Sequence, residues 1–413
     1  MEEIRFIHTA DLHLDSPFLG LSHIPKKVFS RIQESTFIAF ERVIDAALER
    51  AVDFIVVVGD LFDGEDRSIK AQARLRRQLE RLNEAEITAF ISYGNHDHLA
   101  GNWLTLDMPN NVHIFNDEVE TVLFTAENGV KVHLYGFSYP ERHVFERKVK
   151  TYQKKDGADL HIGLLHGQCD GASTLHQPYA PFSIRELLQK EMNYWALGHI
   201  HQTQILHTDP YIVYPGNIQG RHRKEAGKKG CYEVKLTVDG STQLSFIDSA
   251  DIRWESVQIT LEKNTSLTEL YSKCEKVMEA KLDVEGQSVL LQITIENAHF
   301  LSQPVKQKIT NGEFLEMIQD VVDVEQVFVW PYDLKLEQQK TEPSLHHNEG
   351  FMKMLDETAK NLQATEAFEE SISSLFAHVY GSRYLTEIER LEKQELVEAA
   401  KQLVIDELEV KDV

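Results

Sequence analysis

Phe54-Ile55-Val56-Val57-Val58-Gly59-Asp60 is an unbroken apolar run that stops on a glycine and an acid. The run lacks the alternation of a half-solvated strand. It reads as a strand buried on both faces, the kind found inside a parallel α/β sheet. An aspartate at the end of such a strand is costly unless a cation or a hydrogen-bond donor meets it. The ordinary reading is a helix N-cap. Gly59 lets the chain turn and leaves room beside the carboxylate.

The same arrangement recurs on either side of this stretch. Apolar runs at Ile4 to Ile7, Ala89 to Ser92, Ile162 to Leu165 and Tyr194 to Leu197 lead to Asp11-Leu12-His13, Asn95, His166 and Gly198-His199-Ile200-His201. A strand end presents a side chain at the rim of a rigid sheet. Five rims therefore predict one site built from Asp11, His13, Asp60, Asn95, His166, His199 and His201. Oxygen and imidazole donors suit Mn, Fe or Zn rather than Ca alone. The number is sufficient for two divalent ions sharing one carboxylate, here Asp60, and a two-ion site suits phosphoester cleavage. Asp11 and His13 are two apart, and in an extended stretch they point the same way. His96 is read as the group that stabilises or protonates a leaving oxygen. Asp97 is expected to orient the His96 ring. Arg221-His222-Arg223-Lys224 with Lys228-Lys229 is the densest basic cluster near these strands. Arg221 and Arg223 are read as substrate phosphate contacts, against the plainer reading of a solvated hairpin loop.

The chain has 413 residues and a formal net charge of −23. Length alone predicts two or three domains. The acidity argues against a whole-surface nucleic-acid coat, though not against a local basic groove. Three scattered cysteines form no C-x-x-C pair, which fits a reducing compartment. No apolar run approaches membrane-span length and no signal-type segment stands at the start, so a soluble, cytoplasmic protein without membrane contact is expected.

Strands and helices alternate through residues 1–250, which predicts an α/β fold: a two-sheet sandwich flanked by helices. The pattern changes near Ser249-Ala250-Asp251. Residues 251–330 are expected to form a small α+β cap domain, 331–345 a linker, and 346–413 a helical, partner-binding tail. In that tail Phe368, Ile372, Leu375, Phe376 and Val379 make one apolar stripe, and Leu385, Ile388, Leu391, Leu396, Ala399 and Leu403 a looser one. Two helices cannot bury both stripes unaided, so a partner helix or coiled coil is one expectation. Packing within the chain is the other.

Taken in order, D-x-H, G-D, G-N-H-D, H-G and G-H-x-H resemble the calcineurin-like metallophosphoesterase pattern. Phe6 to Leu14, Gly59 to Asp63 and Ala196 to His201 resemble its SbcD-type DNA-repair nuclease branch, as do Tyr214 to Arg221 and Lys228 to Tyr232. Asp11 to Phe18 is similar to a Bacillus group of that branch regarded as DNA repair exonucleases. The likeness covers about residues 1–250. It departs where Leu12-His13-Leu14-Asp15 replaces the branch's usual Trp-His-Leu-Gly. The resemblance implies a metallophosphoesterase sandwich with two ion sites. Asp11, His13, Asp60 and His201 would hold one, and Asp60, Asn95, His166 and His199 the other. Manganese would be the preferred ion, with Fe, Zn or Mg alternatives. It further implies a DNA nuclease in repair or end processing, a homodimer, and an SMC-like ATPase partner bound through the tail. Two rival readings share the fold. One is a small-substrate phosphodiesterase or phosphatase, disfavoured by the long extension beyond the sandwich. The other is a non-catalytic scaffold for an ATPase, disfavoured by the full donor set.

Overall fold

The structure, a computed structural model, describes residues 2–18, 21, 24–64, 68–101, 106–171, 179–263, 265–282, 286–337, 349–364, 367–377, 388 and 390–409. The chain divides into two compact units, residues 1–337 and 338–413.

The first unit is built on two six-stranded mixed sheets. In the first sheet β1 (Glu3–Ala10), β2 (Phe54–Val58), β3 (Thr88–Ser92) and β4 (Val112–Ile114) run parallel. In the second, β5 (Glu120–Thr125) lies antiparallel at one edge of β6 (Lys131–Gly136), β7 (Leu160–His166) and β8 (Tyr194–Gly198). β9 (Gln204–Thr208) and β10 (Tyr211–Tyr214) close its other edge. The chain then returns to the first sheet, where β11 (Gly230–Thr237) pairs antiparallel with β1, and β12 (Thr242–Asp248) with β11. This is the α/β two-sheet sandwich expected of the sequence.

The opening apolar run is explained by two cores. Phe54, Val56 and Val58 face the second sheet, among Ile162, Leu164, Tyr194 and Ala196. Ile55 and Val57 face the outside, among Phe40, Val43, Ile44 and Leu75. Those last residues come from α1 (Lys26–Glu49) and α2 (Ile69–Glu84). In α1 the buried Val28, Ile32, Thr36, Phe40, Val43 and Ala47 recur at helical spacing. Ser68 caps α2, its Oγ accepting the Ala71 N–H at 3.0 Å. The outer face of the second sheet is covered by the short α3 (Ile184–Leu188), whose Leu187 packs with Tyr152, Leu165, Trp195 and Leu197.

Residues from Ile252 onward form a third, all-parallel sheet of β13 (Ile252–Thr260), β14 (Ser288–Glu296) and β15 (Val329–Leu336). α4 (Leu267–Leu282), α5 (Gln303–Thr310) and α6 (Glu313–Gln319) cover it through Leu270, Cys274, Ile309, Phe314 and Ile318. Ile252, Trp254, Leu290, Phe328 and Trp330 pack against Phe18 and Ile24, which precede α1, and against Val28 and Ile32 in its first turns. Asp251 bonds the Arg31 guanidinium there at 3.0 Å. The expected linker at 331–345 is corrected in its first part, because residues 331–336 belong to β15. Pro331 sits in an edge strand beside a register shift, a place that tolerates a residue with no N–H. Residues 338–345 lie outside the described ones.

The second unit contains helices Glu349–Ala364, Ala367–Ala377 and Arg390–Glu409. Ala359, Phe368 and Val397 form a small core, flanked by Leu362, Ile372 and Ile388. Met354, Leu396, Leu403 and Val404 are exposed. The side chains of Leu375, Phe376, Val379, Leu385 and Leu391 lie outside the described residues.

Candidate metal centre

Asp11, Asp60 and Asn95 follow β1, β2 and β3, His166 ends β7, and His199 and His201 follow β8. The two sheets bring these ends together. The backbone there leaves the extended region: φ is 51° at Asp11, 42° at His13, 51° at Asp60 and 99° at His199. Left-handed positions cost non-glycine residues about 1–3 kcal/mol each and persist only where surroundings enforce them. Enforcement comes from the Asp11 N–H to Gly59 O at 3.1 Å, His13 N–H to Asp60 O at 2.9 Å and Leu14 N–H to Leu61 O at 2.9 Å. Asp11 and His13 therefore converge through two tight turns, not through the pleat of an extended strand, which corrects the reading from their spacing.

Four donors form a first group. Atoms of Asp11, His13, Asp60 and His201 lie within 4.8 Å of one another. His13 Nε2 and His201 Nε2 face each other at 3.1 Å. His13 Nε2 is 3.8 Å from Asp60 Oδ2, and His201 Nε2 is 3.8 Å from Asp11 Oδ1. The far side of each ring explains the facing. His201 Nδ1 donates to Glu225 Oε1 at 2.6 Å, and His13 Nδ1 lies 3.0 Å from Asp63 Oδ1. The Glu225 carboxylate fixes an N–H on His201 Nδ1 and turns its Nε2 inward, while the Asp63 carboxylate stands behind the His13 ring. Burial, with Arg221 close by, pushes His13 down to about 3, so its ring is neutral. Two ring nitrogens aimed at each other beside two buried carboxylates suit a shared cation.

A second group adjoins it through Asp60. His166 Nδ1 donates to the Val58 carbonyl at 3.1 Å, and its Nε2 lies 3.1 Å from Asn95 Oδ1 and 3.5 Å from Asp60 Oδ2. The His199 ring stands edge-on to His166 at 5.2 Å. Burial alone would discharge His166, but the Asp60 carboxylate beside it raises it to about 9. Burial opposes charge on Asp60 too, yet His166 holds that carboxyl well below its usual range. Asp11 is raised by burial. Two carboxylates this deep need positive charge near them.

The glycines are part of the fit. A Cβ on Gly94 would sit 2.3 Å from Asp60 Oδ1 and 2.8 Å from His166 Nε2. One on Gly59 would lie 2.0 Å from His166 Nδ1. Both would close the space between donors. Carboxylate, amide and imidazole donors in two groups sharing Asp60 thus fit a pair of divalent ions.

His96 stands at the rim. Its ring is 5.0 Å from that of His13, its N–H donates to Asp60 Oδ1 at 3.0 Å, and its Nδ1 lies 3.0 Å from the Asp63 carbonyl. Asp97 differs from expectation. Its carboxylate accepts the N–H of Gly94 at 2.6 Å and of Leu61 at 2.7 Å. It ties together the loops after β3 and β2, while the Asp63 carbonyl meets the His96 ring.

The basic cluster divides: His222, Arg223, Lys224 and Lys228 are exposed, while Arg221 and Lys229 turn toward the donors. The Arg221 guanidinium pairs with Asp63 and reaches His201 Nδ1 at 3.3 Å. Lys229 is buried and donates to the His201 carbonyl at 2.7 Å. Arg223 is exposed. Three positioning residues were not read from the sequence. Asp63 stands three residues after Asp60 and so was within sight of the motif. Glu225 is a lone acid among basic residues, and is buried. Its Oε2 accepts the Arg221 N–H and Asn217 Nδ2, both at 2.8 Å. Gln219 joins this loop to the start of β13: its Oε1 accepts the Asp251 N–H at 2.9 Å and the Ile252 N–H at 3.2 Å. Trp254 adds a bond from Nε1 to the Gly220 carbonyl at 3.0 Å.

A family model described as calcineurin-like phosphoesterase matches residues 4–203. The chain is 38% identical, over 100% of both chains, to a protein of Bacillus subtilis named uncharacterized metallophosphoesterase YhaO. It is 25% identical to the DNA double-strand break repair protein Mre11 of Methanopyrus kandleri, over 61% of each chain. A solved structure of a dimetal phosphatase from Danio rerio aligns with 57% of this chain and 93% of that one, at 11% identity and a TM-score of 0.34.

Proposed function

The chain belongs to the calcineurin-like phosphoesterase family, and from that premise we propose that this phosphoester hydrolase is a two-metal DNA phosphodiesterase, a nuclease of DNA repair or end processing. The observation that carries the metal chemistry is the pair of Nε2 atoms of His13 and His201 facing each other at 3.1 Å. Support for DNA as substrate comes from relatives named as double-strand break repair proteins, from the strand-end motifs, and from a cap that a small substrate would not need.

In this reading Asp11, His13, Asp60 and His201 hold one ion, and Asp60, Asn95, His166 and His199 the other, with manganese the expected metal. Bound there, the ions supply charge to the phosphate oxygens and make water a nucleophile near neutral pH. The chain's own residues do the rest. Asp63 and Glu225 keep the His13 and His201 rings turned inward. The Asp63 carbonyl holds the Nδ1–H of His96, and as the imidazolium the ring would give its Nε2 proton to the departing sugar oxygen and be left neutral. Arg221 sets a guanidinium at the same wall, where its charge offsets Asp63 and favours an incoming phosphate; the exposed Arg223 is the second phosphate contact. The exposed Leu396, Leu403 and Val404 of the tail offer an apolar face to an SMC-like ATPase. The working assembly is a homodimer with that partner.

The test is hydrolysis by the purified chain with Mn on end-labelled single- and double-stranded DNA and on a small phosphodiester, beside a His96→Ala control. DNA cut by the wild type and not by the control is expected. Hydrolysis of the small ester with DNA untouched, even with the ATPase added, would replace this reading by that of a small-substrate phosphodiesterase.

A further inference from the structure

The wall beside His199 carries rings that the chemistry above does not use. The Tyr179 ring lies 5.3 Å from the His199 ring. It stacks on His143 at 5.7 Å with 23° between planes, and lies 6.1 Å from Phe145. Phe145 is in turn 5.7 Å from His143. The three rings therefore touch one another and run outward from a residue of the second donor group. His143 is exposed, and Phe145 is 48% exposed.

The rings are held in place from beneath. Val144, between His143 and Phe145, is buried in the outer core of the second sheet. Its carbonyl accepts the Ala180 N–H at 2.6 Å, and the Tyr179 carbonyl accepts the Gln168 N–H at 2.9 Å. Arg147 anchors the same segment to Asp170 at 2.8 Å and to Glu186. Rings kept in solvent on a fixed backbone at the edge of a reaction site mark a contact surface.

Local charge points to the occupant. In a chain of net charge −23, residues 142–155 carry Arg142, Arg147, Lys148, Lys150, Lys154 and Lys155 against Glu146 alone. Arg147 is engaged by its carboxylates, and Lys148 is buried 3.4 Å from Glu118. Lys150 and Lys155 remain exposed. A stack of exposed rings next to a phosphoester site, in a stretch of sequence this rich in basic residues, is what a single nucleic-acid strand requires, since every base offers a π-face. A base within a duplex is already stacked and must unpair before it can stack elsewhere.

We infer that His143, Phe145 and Tyr179 form a stacking shelf for an unpaired base flanking the scissile phosphate. This rests on the nuclease reading and narrows it: the substrate is single-stranded or frayed-end nucleic acid. The test compares the full chain with Phe145→Ala and Phe145→Trp, in Mn, on a single-stranded oligonucleotide and on one of the same length with abasic sites around the cut. Phe145→Ala is expected to raise KM for the base-bearing strand on the order of ten-fold, the range for losing one stacked base. KM for the abasic strand stays unchanged, and Phe145→Trp restores the preference. Should the strand bind without being cut, the same ratios read by fluorescence anisotropy decide. An alanine variant that keeps the wild-type preference for bases would overturn the shelf and leave the nuclease reading intact. Failure of the wild type to bind or cut any DNA, with a small phosphodiester still hydrolysed, would overturn both.

Discussion

The two halves of β2 and its sequel are built on opposite rules. Residues 54–58 are extended, apolar and fully buried between two cores. Gly59 and Asp60, next in line, have left-handed backbones, and a carboxylate buried at 1% exposure stands among imidazoles. The strand holds itself in place by burial. The rim is held by the strand, because strained backbone and buried charge stabilise nothing until cations arrive. Five strand ends repeat this division, so changes at the rim should remove metal and rate while leaving the fold, and changes in the strands should do the reverse.

Asp60→Asn is the sharpest test of the division. It weakens the carboxylate common to both donor groups, and both ions should be lost with a fall in rate on the order of 10⁴-fold. Metal content and turnover, measured beside thermal unfolding in EDTA, should show the fold intact. Next in size, His96→Ala should lower kcat by about 10²–10⁴-fold, as for loss of a general acid, while metal content stays at the wild-type value. A His96 variant that arrives without metal would remove it from the proton-transfer role. Glu225→Gln comes third. It loosens His201 without touching an ion, and metal affinity should drop about 10–100-fold, with the bound stoichiometry restored at high Mn. A calorimetric titration with two resolved events should show one weakened and the other unmoved.

The opposite class of change begins with Ile55→Ala, in the helix-facing core. It should cost about 2–5 kcal/mol in stability, read by urea unfolding, with the Mn titration unaltered. A loss of metal in that variant would break the division drawn here. The smallest effect belongs to His8. Its ring is buried between the sheets, with Nδ1 2.9 Å from the Tyr194 hydroxyl and Nε2 3.1 Å from the Leu197 carbonyl. Burial lowers it to about 3 from 6.5. A histidine depressed on folding is neutral in the native state and protonates in the unfolded one. Its contribution is complete above pH 6.5 and is lost as pH falls from there toward 3, by up to about 1.4 kcal/mol per pH unit. Unfolding in EDTA at pH 7.5 and 5.5 should show a shallower dependence in His8→Gln than in the wild type. Equal slopes would mean that the His8 ring is protonated in the fold.

What the sequence disclosed follows the same division. Apolar runs ending in Asp, Asn or His could be read because a strand buried on both faces leaves an unmistakable pattern, and its end is the only place for a polar side chain. Short edge strands such as β5 and β9, with partly exposed residues, carry no such pattern. Pro331 reads as a breaker, though it is accommodated where β15 shifts register. The backbone turns at Asp11 and His13 are set by bonds to residues 59–61, far along the chain. Glu225 and Gln219 act through partners 24 and 32 residues away in sequence, which no local pattern can express. Asp97 accepts the backbone N–H groups of Gly94 and Leu61, and the second of these partners lies 36 residues away in sequence.

Donors from five strand ends are proposed to hold two ions that share Asp60. Anomalous diffraction at the manganese edge from crystals grown with Mn tests it most directly. Two peaks are expected, one bounded by Asp11, His13 and His201, the other by Asn95, His166 and His199, with Asp60 between them. A single peak, or peaks that do not flank Asp60, would contradict the account.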